Sequence, residues 1–155
     1  MKLRLRLRML QIVRVSDDLP DGFATLRVEA AAEGYRHMER LADDWASGAE
    51  RFDKAGEALF AAYVEGELAG VGGVTREPSD PEGDVMRARR LYVLPRFRGT
   101  GAGRALVSAI VQQAFEEASR CTVNAGRDAP EFWDRMGFAR VDAPALTHEL
   151  RRNFD

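Results

Sequence analysis

The chain has 155 residues, of which 45% are apolar and 31% charged, with a formal net charge of −2. One hydrophobic core typically organises about 100–150 residues, so a single domain spanning 1–155 is expected, and this composition excludes bulk disorder and a nucleic-acid binder driven by phosphate contacts. No apolar run reaches the roughly 18–20 residues of a membrane span, no secretory h-region opens the chain, and the lone Cys121 has neither a disulfide partner nor metal-ligand spacing. A cytoplasmic protein without a bound metal is expected.

Met1–Met9 alternates Lys2, Arg4, Arg6 and Arg8 with Leu3, Leu5, Leu7 and Met9, the period-2 pattern of a strand with one solvated face, an extra strand or an N-terminal extension. Gln11–Val15 continues as strand, and Ser16–Gly22 is turn chemistry. From Phe23 to about Ser47 apolar residues recur at helical spacing, with Gly34 breaking the stretch into two helices that end near Gly48. Ala58–Glu65 and Leu68–Thr75 read as a hairpin turned at Gly66. Glu77–Gly83 carries two prolines and a glycine and is the strongest loop signal, after which Val85–Leu94 resumes as strand. Gly103–Ala118 is an amphipathic helix with Leu106, Val107, Ile110, Val111 and Ala114 on its apolar side. Cys121–Ala125 is a short strand and Ala129–Met136 a short helix stopped by Gly137, and Val141 and Thr147–Leu150 mark closing strands.

Chemistry concentrates where the strand Leu91–Leu94 runs through Pro95-Arg96-Phe97-Arg98-Gly99-Thr100-Gly101-Ala102-Gly103-Arg104 into a helix. Glycines at 99, 101 and 103 permit positive φ and close approach of backbone to a ligand. The helix start adds unpaired N–H groups and the positive end of its dipole, and Arg98 and Arg104 add charge. This is a phosphate cradle suited to a diphosphate. A P-loop would need Gly-Lys-Ser/Thr, but Arg104 and Ala105 follow Gly103. A dinucleotide fingerprint would need Gly-x-Gly-x-x-Gly in an early βαβ unit, but the spacing here is Gly-x-Gly-x-Gly, late in the chain. A connection that binds nothing leaves the three alternating glycines and flanking arginines unexplained.

The run Val93-x-Pro95-x-x-Arg98-Gly99-x-Gly101-x-Gly103-x-x-Leu106 resembles the pyrophosphate signature of the GCN5-related N-acetyltransferases (GNAT family), [Gln/Arg]-x-x-Gly-x-[Gly/Ala]. Asn124 and the stretch Ala129–Phe138, similar to the family's late helix and strand entry, extend the resemblance over roughly 11–150. It implies an α/β (α+β) fold, a mixed and mostly antiparallel sheet flanked by about four helices. The implied enzyme moves an acetyl group from acetyl-coenzyme A to a small-molecule or peptide amine by direct attack in a ternary complex, with no metal, nucleic acid or membrane, and with a homodimer allowed. Carried over by residue, Arg98, Gly99, Thr100, Gly101, Ala102, Gly103 and Arg104 hold the diphosphate and Leu91 and Val93 pair with the pantetheine arm. In the same way the Leu91 N–H donates to the thioester oxygen, and Asn124 faces the arm.

General base and general acid stay unassigned. Arg87 stands where many members have a glutamate, and Trp133 where many have a tyrosine. The resemblance implies that the Arg87 position faces the acceptor and that the early helical region lines its site, so Arg87, with Arg89 on the same strand face, and Tyr35, Trp45 and Arg51 are the candidate acceptor contacts, and two arginines there favour an acceptor carrying a carboxylate. His37, His148 and Cys121 read as structural groups. The alternatives are a non-catalytic acyl-coenzyme A sensor and a transferase of longer acyl groups.

Overall fold

The computed structural model describes residues 9–126 and 129–153; the strand expected over Met1–Arg8 lies outside the described residues. Among the described residues, seven strands form one sheet: β1 (Leu10–Val15), β2 (Ala58–Val64), β3 (Glu67–Arg76), β4 (Val85–Val93), β5 (Arg120–Val123), β6 (Ala139–Ala143) and β7 (Leu146–Arg151). Their order is β1-β2-β3-β4-β5-β7-β6, antiparallel throughout except for the parallel pair β4–β5. Four helices flank it: α1 (Phe23–Ala32), α2 (His37–Ser47), α3 (Ala102–Glu117) and α4 (Pro130–Arg135). No described helix is long and apolar enough to cross a membrane, and no group of three or more His, Cys, Asp or Glu among the described residues could hold a metal ion.

The helical stripes explain the packing. Phe23, Leu26 and Ala30 of α1 and Met38, Leu41 and Trp45 of α2 are all buried, each set recurring at i, i+3 and i+7. Gly34, with φ +88°, ends α1: Tyr35 N–H donates to Ala30 O at 2.9 Å and Gly34 N–H to Ala31 O at 3.0 Å, a paired closure that satisfies two orphan carbonyls. On α3 the buried residues are Leu106, Val107, Ile110 and Ala114.

Two consecutive glycines of β3 show how the layers sit. A Cβ on Gly72 would stand 3.1 Å from Ile110 Cδ1 of α3, whereas one on Gly73 would stand 2.5 Å from the Phe52 ring. Side chains alternate across a strand, so α3 and Phe52, just beyond α2, cover opposite faces. The second core cluster joins Met86, Ala88, Val107, Ile110, Cys121, Trp133 and Phe138, so α4 packs beside α3.

Register breaks where the sequence carried no warning. Between Val71 and Gly73 the β3–β4 pairing shifts, and Arg90 opposite takes φ +59°. Strict strand alternation would turn Arg90 away from the Arg89 face. The bulge returns its guanidinium toward α2, 3.7 Å from Asp44.

Trp133 is 4% exposed and meets Phe132 and Phe138 edge-on, with ring centroids 5.4 and 5.0 Å apart. Its indole fills the seam between α4 and the sheet. Trp133→Ala is expected to lower stability by about 3–5 kcal/mol, read by urea unfolding; a loss below about 1 kcal/mol would show that the seam collapses around the gap.

Candidate active site

β4 is the strand on which the site is built. Leu94 N–H donates to Ala69 O at 2.8 Å, and in an antiparallel ladder alternate residues turn their polar groups to the same side. Leu94 and Tyr92 therefore face β3, and Val93 and Leu91 face the other way, where β5 would lie. Yet the β4–β5 pairing runs only from Val85 opposite Arg120 to Arg87 opposite Thr122. Beyond Arg87 the two strands part, and a wedge opens along the Leu91–Val93 edge. Asn124 is exposed just past the end of β5.

At the mouth of the wedge the chain turns through a short 3-10 turn, Pro95–Phe97, into the glycine loop. Gly99 and Gly101 adopt φ +84° and +94°; a Cβ on Gly99 would meet nothing within 4 Å, and one on Gly101 only Leu10 Cδ2 at 3.9 Å. The space above the loop is open, and the fold holds these two residues in the left-handed region for which glycine is suited. Gly103 is different: a Cβ there would press on Phe132 at 3.3 Å, so its role is the close approach of α3 to α4.

The N–H groups expected to form one cradle divide into two sets. Those of Arg98 and Thr100 are consumed within the loop, donating to Pro95 O at 3.2 Å and Phe97 O at 3.3 Å, and Ala102 N–H reaches Thr100 Oγ1 at 3.4 Å. Among the described residues, those of Gly99, Gly101, Gly103 and Arg104 have no such partner, and they lie at the positive end of α3.

The Arg98 guanidinium is also committed. It makes a fork on Glu33, at 3.0 and 2.8 Å, and its Nε donates to Val93 O at 3.1 Å. Glu33 also accepts from Tyr92 Oη at 2.5 Å. The hydrogen bonds from Arg98 and Tyr92 hold the Glu33 carboxyl below the usual range, and burial beside this carboxylate raises the Tyr92 phenol. Arg98 is thus a strut between the end of α1 and the loop. Arg104, exposed on the first turn of α3, has no partner among the described residues.

On the Arg87 and Arg89 face, the two guanidiniums do not converge. Arg87 forms a fork on Glu77, Nε to Oε2 and Nη2 to Oε1, both at 2.7 Å. Glu77 is 2% exposed and also accepts from Ser79 at 2.8 Å and Thr122 at 3.0 Å. Burial pushes its carboxyl up, but the Ser79 and Thr122 hydrogen bonds and the Arg87 charge outweigh it and hold it below the usual range. A carboxylate with four donors on it has no lone pair to spare for a proton. Sequence reading missed Glu77 because it treated the residue as loop; Glu77 N–H still bonds Val85 O at 3.3 Å, extending the β3–β4 ladder.

Arg89 lines a cavity of about 430 Å³ with Glu50, Lys54, Glu57, Thr75 and Arg76. The other acceptor candidates lie outside its lining. Trp45 is a 6% exposed core residue, Arg51 lies over its ring at 5.9 Å and donates to its carbonyl at 3.0 Å, and Tyr35 packs edge-on against His37 and Tyr92. These three read as acceptor contacts only because their helical region does.

His37 lies 2.9 Å, through Nε2, from Leu91 O. A carbonyl only accepts, so Nε2 carries the proton and Nδ1 the lone pair of the neutral ring. Burial, with the nearby Arg90 and Arg40 charges, pushes this imidazole below its ordinary value despite the Leu91 bond. His148, 1% exposed, is tied to Asp134 at 3.0 Å and Thr147 at 2.8 Å, and burial pushes the Cys121 thiol up to about 12. Both are structural.

The profile of the acetyltransferase (GNAT) domain matches residues 25–151. The chain belongs to the GNAT acetyltransferase family. A crystal structure of an acetyltransferase-family protein from Exiguobacterium sp. 255-15 superposes with TM-score 0.81 at 29% identity, covering 92% of this chain and 93% of that one. The uncharacterized N-acetyltransferase YjgM of Escherichia coli K12 is 27% identical over 95 residues, 59% of this chain, and the match spans little more than half of YjgM's own length, 56%. An acetyltransferase of the GNAT family from Staphylococcus aureus Mu50 shares the fold, with TM-score 0.74 at 11% identity, covering 94% of this chain and all of that one.

Because the Glu77 carboxyl sits lower in the fold than in the unfolded chain, its network stabilises fully above the unfolded value and loses that contribution as pH falls through the folded one. Glu77→Gln is expected to cost about 3–5 kcal/mol at pH 7 by stranding Arg87. The gap to wild type should narrow as unfolding is followed from pH 7 toward pH 3, and a gap independent of pH would contradict the network.

Proposed function

We propose that the protein transfers the acetyl group of acetyl-coenzyme A to a primary amine by direct attack within a ternary complex. The observation that carries this reading is the open edge of β4 beside a glycine loop at a helix start. An extended arm can add to the Leu91–Val93 edge as a strand while a diphosphate meets the N–H groups of Gly99, Gly101, Gly103 and Arg104. The Leu91 N–H turns into the wedge and is the donor for the thioester oxygen, where charge develops during attack. The coenzyme supplies the activated acyl group; the chain's own residues align it, donate to its oxygen and keep the acceptor on the far side of β4.

The Arg87 position cannot take the amine's proton, because its guanidinium is bound to Glu77 and Glu77 is saturated. An amine of pKa about 10.4 is neutral in only about one part in a thousand at pH 7.4, a cost of about 4 kcal/mol. Here that cost falls on the acceptor itself.

Acetyl-coenzyme A at about a hundred times its dissociation constant is expected to stabilise the protein by about 2.7 kcal/mol, read as a thermal shift. Gly101→Val should fold and lose the shift, since a β-branched residue opposes φ +94° and fills the space over the loop. An unchanged melting temperature in wild type, with no heat in calorimetry, refutes the reading.

The pH profile follows from the same geometry. With an alkyl amine, kcat/KM should rise about tenfold per pH unit up to the acceptor's own pKa, and with an acceptor of pKa near 7 it should level off there. A break at one fixed pH for both acceptors would mean that a side chain takes the proton.

A further inference from the structure

We propose that the cavity under Arg89 is the acceptor pocket and that it takes an amine carrying a carboxylate, with Arg89 as the specificity-determining residue and Lys54 in support. This rests on the acetyl-transfer reading and adds the chemical class of the acceptor.

The cavity lies on the β3 side of β4, one strand away from the point where β4 and β5 part. Thr75 on its wall is directly opposite Arg87 in the β3–β4 ladder, and Arg87 is opposite Thr122, the last paired residue of β5. Arg89 is two residues from Leu91 on β4, at most about 7 Å along the strand, with the Arg90 bulge between them. A molecule held at Arg89 is therefore within small-molecule reach of the Leu91 edge, and a volume of about 430 Å³ lies in the range of such sites.

The charges around the cavity are unequally committed. Glu57 accepts from Arg76 N–H at 3.0 Å and Lys54 N–H at 3.3 Å, and Glu50 accepts from Phe52 N–H at 2.8 Å. Arg76 pairs with Glu117 at 3.3 Å. Arg89 and the Lys54 ammonium have no hydrogen-bond or ion-pair partner among the described residues. Arg90, on the next residue, sits near Arg89 and offsets none of its charge. Glu50 and Glu57 keep their negative charge, since neutral N–H donors do not cancel it, so what singles out Arg89 is a set of guanidinium donors with no protein partner among the described residues, part-buried on a strand and so held in place.

A guanidinium in that setting takes a carboxylate through two parallel hydrogen bonds, which an amide cannot reproduce. Arg87 would have competed for the same ligand had Glu77 not claimed it. The Phe52 ring, laid on Gly73, gives the pocket an apolar neighbour.

The test compares amino acids with their matched primary amides as acceptors, read by thiol release from acetyl-coenzyme A, in wild type, Arg89→Gln, Arg89→Lys and Arg151→Gln. The last removes an equal charge from the exposed end of β7. The expected result is a preference for the acids of at least about tenfold in kcat/KM. Arg89→Gln should raise KM for the acids by a similar factor and leave the amides unmoved, Arg89→Lys should recover part of it, and Arg151→Gln should change nothing. Preference for the amides, or an equal KM change for both series, overturns the proposal and leaves acetyl transfer standing. Saturation-transfer NMR of the same compounds on the unreacted protein separates the two readings. If no compound releases thiol, acetyl transfer fails, while Arg89-dependent binding of the acids still supports the anion pocket and its absence overturns it.

Discussion

Parallel pairing of β4 with β5 stops after Arg87 and Thr122, and the site exists because it stops there. Had the ladder continued, the Leu91 and Val93 N–H groups would have been spent on β5; as it is, their carbonyls are engaged by His37 and Arg98, and the N–H groups are left for an extended ligand. Unpaired edges invite association and are usually blunted. Here the gap is kept by anchoring each strand elsewhere: β5 to β7 over Arg120–Val123, and β4 to β3 through a bulge that bends it at Arg90. Glu77 is bonded to Arg87 on one strand and Thr122 on the other, a clasp at the last point where the two touch.

Charge is distributed along β4 with the same economy. Three arginines occur within four residues, and each meets a different fate: Arg87 is neutralised by Glu77, Arg90 is drawn to Asp44 of α2, and Arg89 keeps its charge toward a cavity. Alternation alone puts Arg87 and Arg89 on one face and makes them look equivalent. What separates them is a carboxylate ten residues upstream, reached across the β3–β4 turn.

Local signals were legible in the sequence. The apolar stripes of α1, α2 and α3, the Gly34 and Gly48 stops, the hairpin at Gly66 and the strand–loop–helix run from Leu91 to Arg104 all lie where neighbours in sequence decide conformation. The parts that were not legible depend on register between distant segments. Nothing in Arg89-Arg90-Leu91 marks a bulge, since arginine seldom adopts positive φ. Glu77 looked like loop because Pro78 follows it, although the ladder runs one residue further. Trp45 shares the stripe that buries Met38 and Leu41, so the same spacing that marks the helix also places it inward. For the glycine loop, the sequence shows the glycines, but which N–H groups are already spent is visible only once the Pro95–Phe97 turn is in place.

Glu33 joins two regions that a protein engineer would treat as separable. It caps α1, at the start of the turn that leads into α2, yet its carboxylate carries Arg98 of the glycine loop and the Tyr92 hydroxyl. A graft that swapped 33–36 to recruit a new acceptor would also remove the counter-ion of Arg98, leaving that arginine free to swing into the space above the loop. The turn between α1 and α2 is therefore not a modular cassette: redesigning it without Glu33 alters the glycine loop as well.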